Sequence, residues 1–141
     1  MEIQIICQLL LAIFLGALIG LEREIKRKEA GLQTYSLVTL GSCFFALITF
    51  SLAKLEIIDP SPIILAIAIG MGFIGAGAIF RGETQVQGLT TAAGLWTAAA
   101  IGLAVGSGFY FLAIFTTFLV VLILAGFGLL EEKFFGKDSQ Q

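Results

Sequence analysis

The sequence predicts an all-α integral membrane protein: a bundle of about five transmembrane helices, N-terminus outside and C-terminus cytoplasmic. Three observations predict it. Charge is confined to short stretches, and Ile3–Leu21, Ala30–Ala53, Pro60–Phe80 and Thr84–Leu130 contain no Asp, Glu, Lys or Arg. The composition is 58% hydrophobic and 13% charged, with a mean hydropathy of +1.02, whereas soluble domains carry about 25% charged residues. The uncharged stretches are also the right size, since about 20 apolar residues are needed to cross a hydrocarbon core about 30 Å thick.

The first span is expected over residues 3–21. Acidic Glu2 precedes it and charged residues follow, so it lacks the basic leader and small-residue cleavage site of a signal peptide. The second is expected over 35–53 and the third over 63–80. Asp59 and Pro60 stand just before the third as an N-cap and N1 pair. The last uncharged stretch is too long for one span. Gly106-Ser107-Gly108 interrupts it, and such glycine–serine runs break or kink helices. It therefore divides into a fourth span over 89–105 and a fifth over 109–130. Residues 131–141 form a polar cytoplasmic tail on a single membrane domain.

Lysine and arginine set the orientation. Arg23, Lys26, Arg27 and Lys28 follow the first span, Arg81 follows the third, and Lys133 and Lys137 follow the fifth. Lys54 alone stands on the opposite side. Basic connections stay cytoplasmic, and only an odd number of spans puts the basic regions together.

Bulky Phe109, Phe111, Phe115 and Phe118 mark the fifth span for lipid contact. Small residues crowd the third and fourth. Helices in lipid associate through close backbone approach and interhelical hydrogen bonds, which small residues permit. Gly16/Gly20 and Gly102/Gly106 are GxxxG pairs, and Gly72/Ala76 is a small-xxx-small pair. The third and fourth spans, with part of the first, are expected to form the interior. Gly16, Gly20, Gly72, Gly75, Gly77, Gly88, Gly102 and Gly106 are its packing residues. Gly70-Met71-Gly72-Phe73-Ile74-Gly75 also fits GxGxxG. It lies within a span and no acidic residue follows at nucleotide-site spacing, so no nucleotide site is read there.

Polar groups at membrane depth are few. Thr90, Thr91 and Thr97 on the fourth span either bond back to their own helix or line a cleft for a partner or ion. The Trp96 indole needs an internal acceptor, a threonine or a backbone carbonyl. Glu22-Arg23-Glu24 ends the first span. One of its two acids can face the bundle, placing Glu22 and Arg23 at the cytoplasmic mouth near Arg81 and the Gly31–Thr34 turn. Asp59 marks the other mouth. Cys7 and Cys43 read as small buried hydrophobes.

Histidine is absent, and no cysteine stands beside a base, so an enzyme is not expected and no cofactor is implied. A net charge of −2 and the lack of a long basic face argue against nucleic acid. No span carries a midplane acid or base, which argues against a self-contained transporter. The residues leave any metal open. The expected partners are the bilayer and either a second copy or another membrane protein.

Several blocks occur together in order: Gly16-Ala17-Leu18-Ile19-Gly20-Leu21-Glu22-Arg23-Glu24, Ala30-Gly31-Leu32-Gln33-Thr34, Asp59-Pro60-Ser61, Gly72-Phe73-Ile74-Gly75-Ala76-Gly77, and Val86-Gln87-Gly88-Leu89-Thr90-Thr91-Ala92-Ala93-Gly94-Leu95-Trp96. Over about residues 10–108 the chain resembles the MgtC/SapB family of bacterial inner-membrane proteins. The resemblance implies a regulator linked to magnesium limitation and to survival in phagocytes, acting on a partner such as the membrane sector of the F-type ATP synthase. It marks Glu22, Arg23, Gly31, Thr34, Asp59, Gly75, Gly77, Gly88, Thr90, Thr91 and Trp96 as motif residues. Gln33, Pro62 and Gln87 stand where that family usually has arginine, which weakens an anionic contact on the cytoplasmic side. Many relatives carry an ACT-like C-terminal domain after the membrane region, and its sensing function is not expected of residues 1–141. The alternative reading is a transporter or channel for magnesium, another cation or a small solute.

Overall fold

The computed structural model describes residues 2–82 and 85–128. It is an all-α membrane bundle of five helices: α1 (Glu2–Ile25), α2 (Leu32–Ala53), α3 (Ser61–Gly77), α4 (Leu89–Gly106) and α5 (Tyr110–Leu122). A π-helical turn, Ile123–Phe127, continues α5. Helices α1, α2, α4 and the continuous Tyr110–Phe127 segment are each long and apolar enough to cross a membrane. Helix α3, of 17 residues, lies at the short end of that range. The expected tail over 131–141 and the last two residues of the expected fifth span lie outside the described residues.

Helix α1 runs past the expected boundary because Glu22, Arg23 and Glu24 extend it. Helix α3 stops at Gly77 rather than Phe80. Its glycine-rich end is a poor helix former, and the chain turns there into a short hairpin. Strand β1 (Phe80–Arg81) pairs antiparallel with β2 (Val86–Gln87), Phe80 opposite Gln87 and Arg81 opposite Val86. Gly88 closes the hairpin at φ +84°, and a Cβ there would run into the Ala78 carbonyl. Its role is therefore the turn into α4, not the helix packing expected of it. Asp59 is likewise displaced from its expected place. The N-cap of α3 is Pro60, and the Asp59 carboxylate, one residue earlier, accepts the Ser61 backbone N–H at 2.9 Å. That bond satisfies a first-turn donor as a cap would and holds the exposed Asp59 carboxyl below its ordinary pKa.

The interior differs from the one expected. Helix α2 runs between α1 and α4, and glycines on both flanks let the backbones touch. A Cβ at Gly16 would stand 2.6 Å from the Tyr35 carbonyl, and one at Gly20 2.7 Å from Leu32 Cα. From the other flank, Gly102 abuts the Thr39 carbonyl, and a Cβ at Gly106 would meet the Ala46 methyl at 2.6 Å. Thr39, fully buried, thus lies between Gly16 and Gly102. Its hydroxyl is satisfied within α2 by the Tyr35 and Ser36 carbonyls at 3.1 and 3.0 Å. Both GxxxG pairs serve α2.

Helix α3 is peripheral. Only Met71 and Gly75 of it are buried. Gly70, Gly72 and Gly77 face open space, and a Cβ at Gly75 would only reach ordinary contact with Ala92 at 3.6 Å. Gly72 and Gly77 are therefore not packing residues within the chain. Small residues permit close approach, but α3 carries them around its whole circumference, so composition does not say which face is covered.

Helix α5 turns Ala113, Thr117 and Val120 inward and its phenylalanines outward, Phe111 and Phe115 stacked with ring centroids 6.2 Å apart. Cys43 is buried as expected, but Cys7 lies on the outer face. Gln8, only 6% exposed, donates through Nε2 to the Val105 carbonyl at 3.0 Å and joins α1 to α4.

Candidate functional site

Polar chemistry gathers where the α1 end, the loop at residues 26–31, the hairpin and the start of α4 meet. Arg23 is the centre, 3% exposed on the last turn of α1. Its Nη2 donates to the Thr91 hydroxyl at 3.3 Å, and that hydroxyl donates to Glu29 Oε2 at 3.0 Å. Thr91 uses its oxygen as acceptor and its proton as donor, so one residue on α4 ties together the α1 helix and the loop after it.

Glu22 is nearly covered too, its side chain 10% exposed. Its Oε2 lies 3.6 Å from Arg23 Nη1, and its Oε1 lies 2.8 Å from Lys26 Nζ. The lysine contact has the length of a hydrogen bond but is not one, and among the described residues neither carboxylate oxygen has a hydrogen-bonded partner. We read both contacts as coulombic pairs. The Lys26 ammonium points its hydrogen bond elsewhere, to the Leu124 carbonyl at 2.7 Å. That carbonyl belongs to the π-helical turn, where the regular i−4 ladder is interrupted. Glu24, on the other side of α1, accepts the Leu32 N–H at 3.1 Å and fixes the start of α2. The two acids of the Glu22-Arg23-Glu24 run therefore do separate jobs, one inside and one at the rim.

Glu29 is one residue that sequence reasoning missed. Its own backbone N–H holds the carboxyl below the ordinary carboxylate range, partial burial opposes this, and the Thr91 hydroxyl, Lys28 and Arg23 add to the lowering. It stays ionised at neutral pH. The signal available was a carboxylate in an otherwise basic loop, two residues before the Gly31 turn.

These groups border a polar cavity of about 380 Å³, lined by Arg23, Arg27, Lys28, Glu29 and, from the hairpin and α4, Gln87 and Thr90 among others. The other sequence-nominated residues lie elsewhere. Thr34 lines a groove between α2 and α3. Asp59 is at the opposite end of the bundle, between α2 and α3. Thr97 bonds back to the Ala93 carbonyl at 2.9 Å. Trp96, 53% exposed, donates its indole N–H to the Ala68 carbonyl of α3 at 3.3 Å, the kind of acceptor its position called for. Tyr35 was also missed. It is fully buried and its hydroxyl donates to the Thr91 carbonyl at 3.4 Å.

Among the described residues no group of three or more Cys, Asp or Glu side chains is placed to hold a metal ion. The arrangement can hold charge and fix helix ends.

A small helical membrane bundle with a buried arginine at one end is the class this architecture defines. The chain belongs to the MgtC family, which matches residues 9–133. It is 37% identical over 98% of its length to YhiD of Escherichia coli (strain K12), a protein whose name proposes magnesium transport, and covers 67% of it. Identity to SapB of Bacillus subtilis (strain 168) is 40%, over 87% of this chain and 56% of SapB. Identity to MgtC of Salmonella typhimurium (strain 14028s / SGSC 2262) is 40%, over 82% of this chain and 49% of that protein. The chain thus spans about half to two thirds of the length of these relatives. No solved structure matches it.

Proposed function

We propose that this protein is a non-enzymatic, multi-pass regulator of the bacterial inner membrane, tied to magnesium homeostasis and adaptation to magnesium limitation. It acts by docking a transmembrane helix of a partner. The family resemblance points to the membrane sector of the F-type ATP synthase as that partner. The printed name of the relative YhiD supports the magnesium link. The distribution of basic residues supports the orientation. Arg23, Lys26, Arg27, Lys28 and Arg81 share one end and Lys54 stands at the other, so the polar cavity faces the cytoplasm.

The observation that carries the docking reading is the groove between α2 and α3. It has a volume of about 690 Å³ and is lined by Leu37, Gly41, Phe45, Ile67, Gly70 and Ile74 among others. Gly41 and Gly70 have nothing within 4 Å of a built Cβ. A helix entering there meets bare backbone on both walls, the geometry that close helix pairs in lipid require. Gly70→Leu projects into the groove from a position where a Cβ meets nothing within 4 Å. It is expected to abolish co-purification of the partner from native membranes in low magnesium while insertion and thermal stability persist. Undiminished co-purification by that variant removes the proposal.

The second reading is transport, favoured by the name of YhiD and by the charged mouth at Glu22 and Arg23. Magnesium or proton flux into liposomes that disappears in Glu22→Gln supports it. Silent liposomes support the regulator.

A further inference from the structure

We infer that the polar cavity at the end of α1 is a binding site for a phosphate-bearing anion: a dianionic phosphomonoester, free or as a lipid headgroup. The inference is independent of the α2–α3 groove.

The first support is charge. Three cations, Arg23, Arg27 and Lys28, line the cavity against the single lining carboxylate of Glu29 among the described residues; Glu22, which does not line it, pairs with Arg23 at 3.6 Å and leaves Arg27 and Lys28 as the cations not paired with a carboxylate there. Glu29 is partly spent, since it already accepts the Thr91 hydroxyl at 3.0 Å.

The second is the buried arginine. Arg23 is 3% exposed and lines the cavity. Its two Nη groups face Thr91 and the Glu22 carboxylate, and among the described residues the Nε hydrogen has no acceptor. A guanidinium covered this completely forfeits its water, and an unmet buried donor is costly. An anion in the cavity that this arginine lines would supply an acceptor, and guanidinium is the side chain best matched to phosphate oxygens.

The third is α4. Its N-terminus opens into the same cavity, with Gly88, Leu89, Thr90 and Thr91 on the lining. Among the described residues no side chain caps that end. The first helical N–H groups and the positive end of the 18-residue α4 dipole therefore remain available to an anion. The buried arginine of α1 and the first residues of α4 thus border one cavity from different elements. Arg27 and Lys28, at the rim, supply the remaining counter-charge. A volume of about 380 Å³ is ample for a phosphate and too confined for a folded polypeptide segment.

The chain also suggests how affinity is set. Gln87 lines the cavity from β2 and is neutral. An arginine there would add a fourth cation.

The test uses the full chain purified in a zwitterionic detergent, with inorganic phosphate as the soluble probe and chloride at matched ionic strength as control. A second arm uses nanodiscs of phosphatidylcholine with and without phosphatidic acid, whose headgroup is a phosphomonoester. Binding is read by thermal shift and by phosphorus NMR line broadening. Arg27→Gln/Lys28→Gln is expected to weaken binding about tenfold or more, and Gln87→Arg to tighten it about severalfold. Response to inorganic phosphate supports the site with a soluble ligand. Response only to phosphatidic acid supports it with a lipid ligand. No response beyond chloride and phosphatidylcholine overturns it. So does binding that neither the double variant nor Gln87→Arg alters. Because Gln87→Arg moves affinity in the opposite direction, failure of the double variant to fold leaves the inference testable.

Discussion

The hydroxyl of Tyr35 occupies the space that a side chain at Gly94 would need. A Cβ built on Gly94 stands 3.3 Å from Tyr35 Cζ and closer still to the hydroxyl oxygen. The buried ring reaches from α2 into α4 through that gap and ends on the Thr91 carbonyl. Gly94→Val is therefore expected to destabilise the protein by about 1–3 kcal/mol, the usual cost of overpacking a filled interior. Gly72→Val, on the open face of α3, is expected to change stability by less than about 0.5 kcal/mol. Thermal unfolding in detergent distinguishes the two, and equal effects would contradict the packing described.

Thr91 and Thr97 lie on the same helix but do different work. Thr91→Val removes both the acceptor of Arg23 and the donor to Glu29, leaving a buried guanidinium with one partner fewer. A loss of about 1–3 kcal/mol is expected. Thr97→Val deletes only a bond to its own helix at Ala93 and is expected to be close to neutral. Proteolysis of the 26–31 loop should accelerate in Thr91→Val and not in Thr97→Val.

Gln8→Leu is expected to be mild, about 0.6 kcal/mol, the average for an interhelical hydrogen bond in a membrane protein. The reason is the acceptor. The Val105 carbonyl also receives the Gly108 N–H at 3.0 Å, so the substitution leaves no buried group unpaired.

Acidification should loosen the Glu29 contact, and only at low pH. The folded-state pKa of Glu29 is depressed, so its contribution is fully present above the unfolded value of about 4.3. It is lost as pH falls through the lower folded value. The stability difference between the wild type and Glu29→Gln should hold steady from neutral pH to about pH 5, well above that value, and shrink below it. A difference that fades nearer neutrality would mean that Glu29 is not held ionised.

The helices were legible because each span must satisfy its own backbone hydrogen bonds in lipid, which leaves long uncharged runs in the sequence. Gly16/Gly20 and Gly102/Gly106 were legible as packing sites for the same reason that they pack. What they pack against was not. GxxxG says that a backbone comes close, and Thr39, which meets both pairs, carries no mark of it. The α3 glycines show the reverse, a matching pattern with an open face. Glu29 and Tyr35 act through partners 62 and 56 residues away, and no local periodicity encodes such distances. The hairpin escaped notice because two-residue strands are too short to alternate, and Gly88 passed for a helix residue because neither its positive φ nor the Ala78 carbonyl beside it is signalled locally.

Helix α3 leans chiefly on α4, through Gly75 beside Ala92 and through the Trp96 indole on Ala68. The α1–α2–α4 trio, by contrast, is interlocked backbone to backbone and cannot slide without separating. A rearrangement that opens this molecule is therefore expected to move α3 at its Trp96 contact before it parts the trio. Tryptophan fluorescence, from a chain with a single indole, would report that movement directly.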